Sequence, residues 1–223
     1  GIEDLFEWLP SAGDTLFSES VSENRGMKSV DFYRTNLIRV FGSDWKKHWS
    51  SMTAGLMRSL NINTVGNWSD IGFARENNLP YVLPLNRFPG TAVQIYRDFP
   101  DVFSDEYRRN SVEFAKQLND YKDDPYMVGY FLRNEPQWAF GYHNIAYEMF
   151  ATGTPSATRE EFVRWISGKY NNDLKSFNKA WDLELGGFEE LKTMAFKDYP
   201  SARADSDFYA FSEIMVKKYV DVP

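Results

Sequence analysis

Residues 129–138 read GYFLRNEPQW, an apolar run that ends in Arg133, Asn134, Glu135 and Pro136. A carboxyl group at the end of a buried strand suits general acid/base work. An apolar wall disfavours its charged form and keeps a proton available near neutral pH. Asn134 beside it can hydrogen-bond a substrate hydroxyl, and Pro136, lacking a backbone donor, ends the strand. The plainer alternative is that Glu135 caps the next helix or pairs with Arg133, and neither is chemistry. A second polar strand end is GNWSD, residues 66–70. Trp68 there offers a flat apolar surface of the kind that stacks on a sugar ring, while Asn67 binds hydroxyls. Trp68 as an ordinary core aromatic is the competing reading. Asn86 and Arg87 follow the run YVLPL in the equivalent place, as substrate contacts or as the start of a solvated loop. Trp138 lies just beyond Glu135 as a candidate sugar platform, and His143 as a polar rim residue. Asn67-Trp68-Ser69 also matches a glycosylation sequon, discounted because a strand end in a cleft is a poor acceptor.

These residues need elements to hold them. Trp45, Trp49, Met52, Leu56 and Leu60 recur at helical spacing, so a helix is expected from about Asp44 to Leu60, capped by Ser43 or Asp44. Short apolar runs at 62–68, 81–85 and 127–132 read as strands, with helical stretches at 70–77 and 104–121 between them. Residues 86–103 carry Pro89, Gly90 and Pro100 and read as a loop-rich insertion. Beyond Glu135 the chain is helical: Thr158 and Glu161 form a capping-box pattern, Asn172 to Trp181 follows, and a last helix is expected from about Ala204 to Val220. Residues 1–43 are expected to be irregular and to pack on the body, and 152–223 to be a helical region. Alternating strands and helices argue for parallel strands with right-handed crossovers. The expected fold class is α/β, one domain holding part of a (β/α)8 barrel with about three parallel strands and several helices. A barrel of this kind takes about 250 residues. The 223 residues reach its size range, but three strands are not eight.

Composition removes several functions. With no cysteine, the chain has no disulfide, thiolate nucleophile or Cys-ligated metal. Two histidines, His48 and His143, argue against a His-rich metal centre. A formal charge of −7 argues against a nucleic-acid partner, which needs a basic footprint. No apolar run is long enough to span a bilayer. An aromatic share of 17% is too high for a disordered tail. Neither a metal nor an organic cofactor is implied. Gly1 is not an initiator residue, so the chain is expected to continue upstream.

VGYFLRNEPQW resembles the fourth-strand motif of the clan A glycoside hydrolases, closest to the beta-agarase and beta-galactosidase-like families. Other stretches agree in order: FEWLP at 6–10, LIRVFGSDW and LMRSLNINTVGNWSD, and KYNNDLKSFNKAWDLELGGFEEL at 169–191. The sequence departs from the agarase pattern at Arg133 and at Pro136. The resemblance implies a retaining hydrolase of a β-linked galactose-containing polysaccharide or oligosaccharide, with Glu135 as catalytic acid/base. Asn134, Asn67, Trp68, Trp138 and Asn86 would bind substrate. It implies a bacterial protein of the cell exterior or periplasm. The nucleophile such enzymes carry at the seventh strand has no counterpart here. Asp70, the nearest candidate, is not promoted to it. The chain is therefore expected to be a fragment, inactive alone, whose open sheet edges are covered by the rest of the barrel or by a second copy. Two other readings stand beside this one. One is a non-catalytic carbohydrate-binding or scaffold module derived from a barrel. The other is an α+β interaction protein in which N-E-P is coincidental.

Overall fold

The computed structural model describes residues 3–11 and 13–223. The chain divides into two units, residues 1–81 and 82–223.

In the first unit, β1 (Val21–Asn24) and β2 (Met27–Val30) form an antiparallel hairpin. Its two turn residues, Arg25 (φ 52°) and Gly26 (φ 75°), are both left-handed. That is the backbone a two-residue hairpin loop needs to match the strand twist. Helix α1 (Phe32–Phe41) follows, capped by Asp31, whose Oδ1 accepts from Arg34 N–H at 2.9 Å. The segment expected to be irregular thus contains a hairpin and a helix. The turn signal is Arg-Gly rather than Asn-Gly, and the strands VSEN and MKSV carry no apolar alternation to betray them.

Helix α2 (Trp45–Ser59) lies where periodicity put it, although Asp44 at its N-cap makes no side-chain capping bond. Its buried residues are Ser50 and Ala54. That face meets α3 (Ile71–Glu76): Trp49 packs on Phe73, and Asn77 Nδ2 donates to Ser50 Oγ. Met52, Leu56 and Leu60, expected in the apolar stripe, are exposed. Met52 and Leu56 lie two residues, roughly 200° of helical rotation, from the Ser50–Ala54 face, and Leu60 is the C-cap beyond the helix. Asp70 caps α3 by accepting from Phe73 N–H at 2.9 Å.

The expected strand at 62–68 shrinks to one residue, Val65, bridged in parallel to Tyr81. β3 (Tyr81–Pro84) pairs with β6 (Met127–Phe131). Leu85 N–H donates to Phe131 O, so the two strands end side by side and run in the same direction. Along β6, Val128 (61% exposed) and Tyr130 (50%) turn apolar side chains to solvent. The architecture among the described residues is mixed α/β, with few and short strands.

The second unit builds its core away from that sheet. The expected loop at 86–103 contains a small hairpin, β4 (Gln94–Tyr96) with β5 (Phe99–Pro100). Helix α4 (Asp105–Ala115) starts at Ser104, whose Oγ accepts from Tyr107 N–H. Four further helices, α5 (Ile145–Thr152), α6 (Ala157–Lys169), α7 (Leu174–Trp181) and α8 (Ala202–Asp221), enclose an aromatic core. Phe150, Phe162, Phe177, Trp181, Phe208 and Phe211 are fully buried in it. Most of these rings meet edge-on or tilted at 4.8–6.1 Å, and Phe162 and Phe208 stack at 5.7 Å. Ser156, not Thr158, caps α6, because Thr158 is committed elsewhere. Its N–H and hydroxyl both donate to the buried Asp101, at 2.7 and 2.6 Å.

Candidate active site

The chain leaves a strand region three times through an asparagine followed by a non-glycine residue in the left-handed region. The pairs are Asn67-Trp68 (φ 61°), Asn86-Arg87 (φ 56°) and Asn134-Glu135 (φ 38°). Such residues are uncommon and costly outside glycine and asparagine, and they concentrate where a backbone is held for function. This repeated Asn-X step is a signal that sequence patterning alone passed over.

The Glu135 loop is held from both sides by one side chain. Asp98, between β4 and β5, pairs with the Arg133 guanidinium two residues before Glu135. The same carboxylate accepts from the N–H groups of Gln137 (3.0 Å) and Trp138 (2.9 Å), which open the 3-10 turn Gln137–Phe140. Arg97 adds a guanidinium bond to Gln137 O at 3.0 Å. Arg133 also donates to Tyr219 OH at 3.1 Å and lies over the Phe88 ring. Tyr219 is stacked between Phe88 and Phe99, and Tyr107 OH donates to its carbonyl at 2.7 Å. Burial pushes the hydroxyls of Tyr107 and Tyr219 above the usual phenol range, so both stay neutral.

Both plain roles for Glu135 are therefore filled by Asp98: it caps the turn and it pairs with Arg133. The side chains of Asn134 and Glu135 are exposed and make no hydrogen bond or ion pair among the described residues. A carboxyl and an amide are presented outward on a backbone fixed at both ends. Asp98 itself carried no sequence signal, since its partners lie 35–40 residues away.

The other candidates differ. Asn86 is exposed, and its backbone is gripped by one amide: Gln117 accepts from its N–H and donates to its carbonyl, both at 3.0 Å. Asn86 and Arg87 line a cavity of about 590 Å3 with Phe88, Asn110, Glu113 and Gln117. Trp138 is half-buried, with Phe99 and Tyr219 edge-on at 5.2 and 5.3 Å, and lines a different cavity. The structure brings Asn134, Glu135 and Trp138 onto one clamped loop, and Asn86 leaves the same end of the β3–β6 pair. His143 is exposed beside Tyr199 and Tyr147. Asn67 and Trp68 belong to the first unit. Trp68 is 68% exposed, so it is no core aromatic within that unit. Asn67 Oδ1 is buried and lacks a hydrogen-bond donor among the described residues. Asp70, already the α3 cap, also faces Lys46 at 3.8 Å. No three His, Asp or Glu side chains gather as a metal site, and no helix is long and apolar enough to cross a membrane, among the described residues.

The chain is α/β and offers an exposed carboxyl from a clamped strand end. No family model matches it. It is similar to Beta-agarase B of Vibrio sp. (strain JT0107), with 24% identity over 239 aligned positions, 96% of this chain and 25% of that protein. Beta-agarase A of the same strain is 23% identical across 87% of the chain and 22% of its own length. Among solved structures, the agarase AgWH50C superimposes with a TM-score of 0.78 at 22% identity, covering 97% of this chain and 34% of its own. PfGH50B does so with a TM-score of 0.81 at 25% identity, covering 99% and 34%. The chain thus resembles the beta-agarases over nearly all of its length. It spans about a quarter of the curated relatives and about a third of the solved structures.

Proposed function

We propose that this chain carries the acid/base half of a retaining glycoside hydrolase active site, acting on a β-linked galactose-containing polysaccharide outside the bacterial cytoplasm. One observation carries the reading: Glu135 is unpaired and left-handed, while Asp98 performs both structural duties that would otherwise explain it. Similarity to two beta-agarases supplies the substrate class.

In this reading Val65, β3 and β6 are consecutive strands of a (β/α)8 barrel, and both units belong to that one domain. The apolar Val128 and Tyr130 face the barrel's remaining segments. Glu135 protonates the leaving glycosidic oxygen while a carboxylate from outside this chain attacks the anomeric carbon. In the second step Glu135, now the base, takes a proton from water as that water attacks the anomeric carbon and breaks its bond to the attacking carboxylate. Asn134 holds the 2-hydroxyl, where a hydrogen bond strengthens as the oxocarbenium character grows. Asn67 and Trp68 bind the sugar. Asn86 and Trp138 bind neighbouring parts of the glycan.

The test uses the longer enzyme that contains this chain. Glu135→Gln should lower agarose hydrolysis by about two to four orders of magnitude. With an aryl glycoside whose good leaving group needs no proton, Glu135→Ala should be rescued by azide and yield the β-glycosyl azide. Unchanged hydrolysis by Glu135→Gln would remove the proposal in favour of a non-catalytic carbohydrate-binding module. The 223 residues alone should not turn over either substrate.

A further inference from the structure

Beyond Glu135, the 3-10 turn Gln137–Phe140 and the following loop face α8 across a cavity of about 530 Å3. That volume lies within the range of small-molecule sites. Trp138 forms one wall, and Tyr209, Glu213, Val216 and Lys217 come from α8. Tyr209, Glu213 and Val216 fall at i, i+4 and i+7 and so share one helix face. Tyr209 is exposed, and neither its side chain nor that of Glu213 has a partner among the described residues. His143 meets Tyr199 OH through Nδ1 at 3.4 Å, which leaves Nε2 for a ligand. Aromatic surfaces beside unengaged polar groups are the makings of a sugar site.

The charges narrow the ligand. Lys217 is already paired with Asp221 at 2.6 Å, while the Glu213 carboxylate is unpaired. Such a cavity repels sulfate or carboxylate and accepts hydroxyls. The cavity is also tied to the catalytic loop. Asp98 holds the Trp138 N–H with the same carboxylate that holds Arg133, so the cavity wall and Glu135 share one anchor. Three residues of chain place the Glu135 and Trp138 Cα atoms at most about 11 Å apart.

We propose that this cavity is a remote binding site for a neutral sugar unit of the glycan, at a fixed spacing from Glu135, selecting unsulfated over sulfated galactan. It deepens the hydrolase reading and rests on it for the glycan class, but its test needs no catalysis.

The experiment titrates the isotope-labelled 223-residue chain with a neutral agaro-tetrasaccharide and, separately, with a sulfated galactan tetrasaccharide, followed by NMR. The neutral sugar should give saturable shifts at the Trp138 indole, Tyr209 and Glu213. Tyr209→Ala should weaken it about tenfold, the scale of one aromatic contact, and Glu213→Ala should admit the sulfated sugar. Both substitutions lie on an exposed helix face, and an unchanged far-UV spectrum checks the fold. The proposal is overturned if the cavity signals stay still, if the sulfated sugar binds wild type equally well, or if Tyr209→Ala binds unchanged. Glu135→Gln should leave this binding intact. Loss of hydrolysis in the longer enzyme without cavity shifts removes this site alone. Cavity shifts with full Glu135→Gln activity remove the hydrolase reading alone.

Discussion

Asp207 and Glu135 are both acids in the second unit, and their surroundings are opposite. Asp207 is completely buried on α8. Its Oδ1 faces Lys169 Nζ at 2.7 Å and Arg203 Nε at 3.3 Å, held by charge rather than by aligned hydrogen bonds. Its Oδ2 accepts from Tyr170 OH at 2.8 Å and Trp181 Nε1 at 2.9 Å. One carboxylate thereby ties α6, the turn after it, α7 and α8 together. Glu135 is exposed, unpaired and held in a backbone state that favours glycine. A buried charge persists only when fully partnered, because desolvation is costly. An exposed acid on a strained, clamped backbone gains nothing for the fold. The difference separates an acid whose partners hold helices together from one that, in the proposed function, is free for chemistry.

That contrast can be broken at several points, ordered by the effect expected on stability. Asp207→Ala leaves two cations and two donors facing a void, and should cost about 3–5 kcal/mol in denaturant unfolding. A loss under 1 kcal/mol would mean that Asp207 is not the helix anchor. Arg159→Met removes a buried guanidinium that donates to the carbonyls of Leu191 (2.9 Å) and Met194. The apolar stem stays, but the carbonyls are orphaned, so about 2–3 kcal/mol should be lost. Asp98→Ala releases Arg133 and two turn amides at a partly exposed site. It should cost about 1–2 kcal/mol and speed amide exchange across 133–138. In the longer enzyme it should lower kcat more than KM, since Asp98 positions Glu135 without touching substrate. Smallest of all, Glu135→Gly should shift stability by less than about 1 kcal/mol, because relief of left-handed strain offsets glycine's entropy. Activity of the longer enzyme should nonetheless collapse. A large destabilisation by Glu135→Gly would make it a structural residue after all.

Parts of this arrangement were readable in the sequence. Helices α4, α7 and α8 declared themselves because caps and apolar spacing are local, whereas α2 was found by a period of which Met52, Leu56 and Leu60 are exposed. The strands 81–85 and 127–132 did so as bounded apolar runs. Glu135 stood out as a carboxyl closing an apolar run within a stretch that resembles a glycoside hydrolase motif, while capping or pairing with Arg133 stayed open. Other parts were hidden. The β1–β2 hairpin is polar and turns on Arg-Gly. Val65 keeps one bridge of an expected strand, since strand length depends on partners rather than on propensity. Trp138 was expected as a sugar platform, and its T-shaped contacts with Phe99 and Tyr219 at 5.2 and 5.3 Å could not be seen in the sequence.

The sequence by itself marked out the candidate acid, its Asn neighbour and the beta-agarase likeness, because these rest on residue types at short spacing. Only the tertiary structure decided what Glu135 is not doing. Asp98 grips the residues on either side of it, 35–40 residues away in sequence, and Asp207 gathers partners up to 38 residues away. Whether a carboxylate is partnered is a property of the space around it, and folding, not local pattern, fills that space.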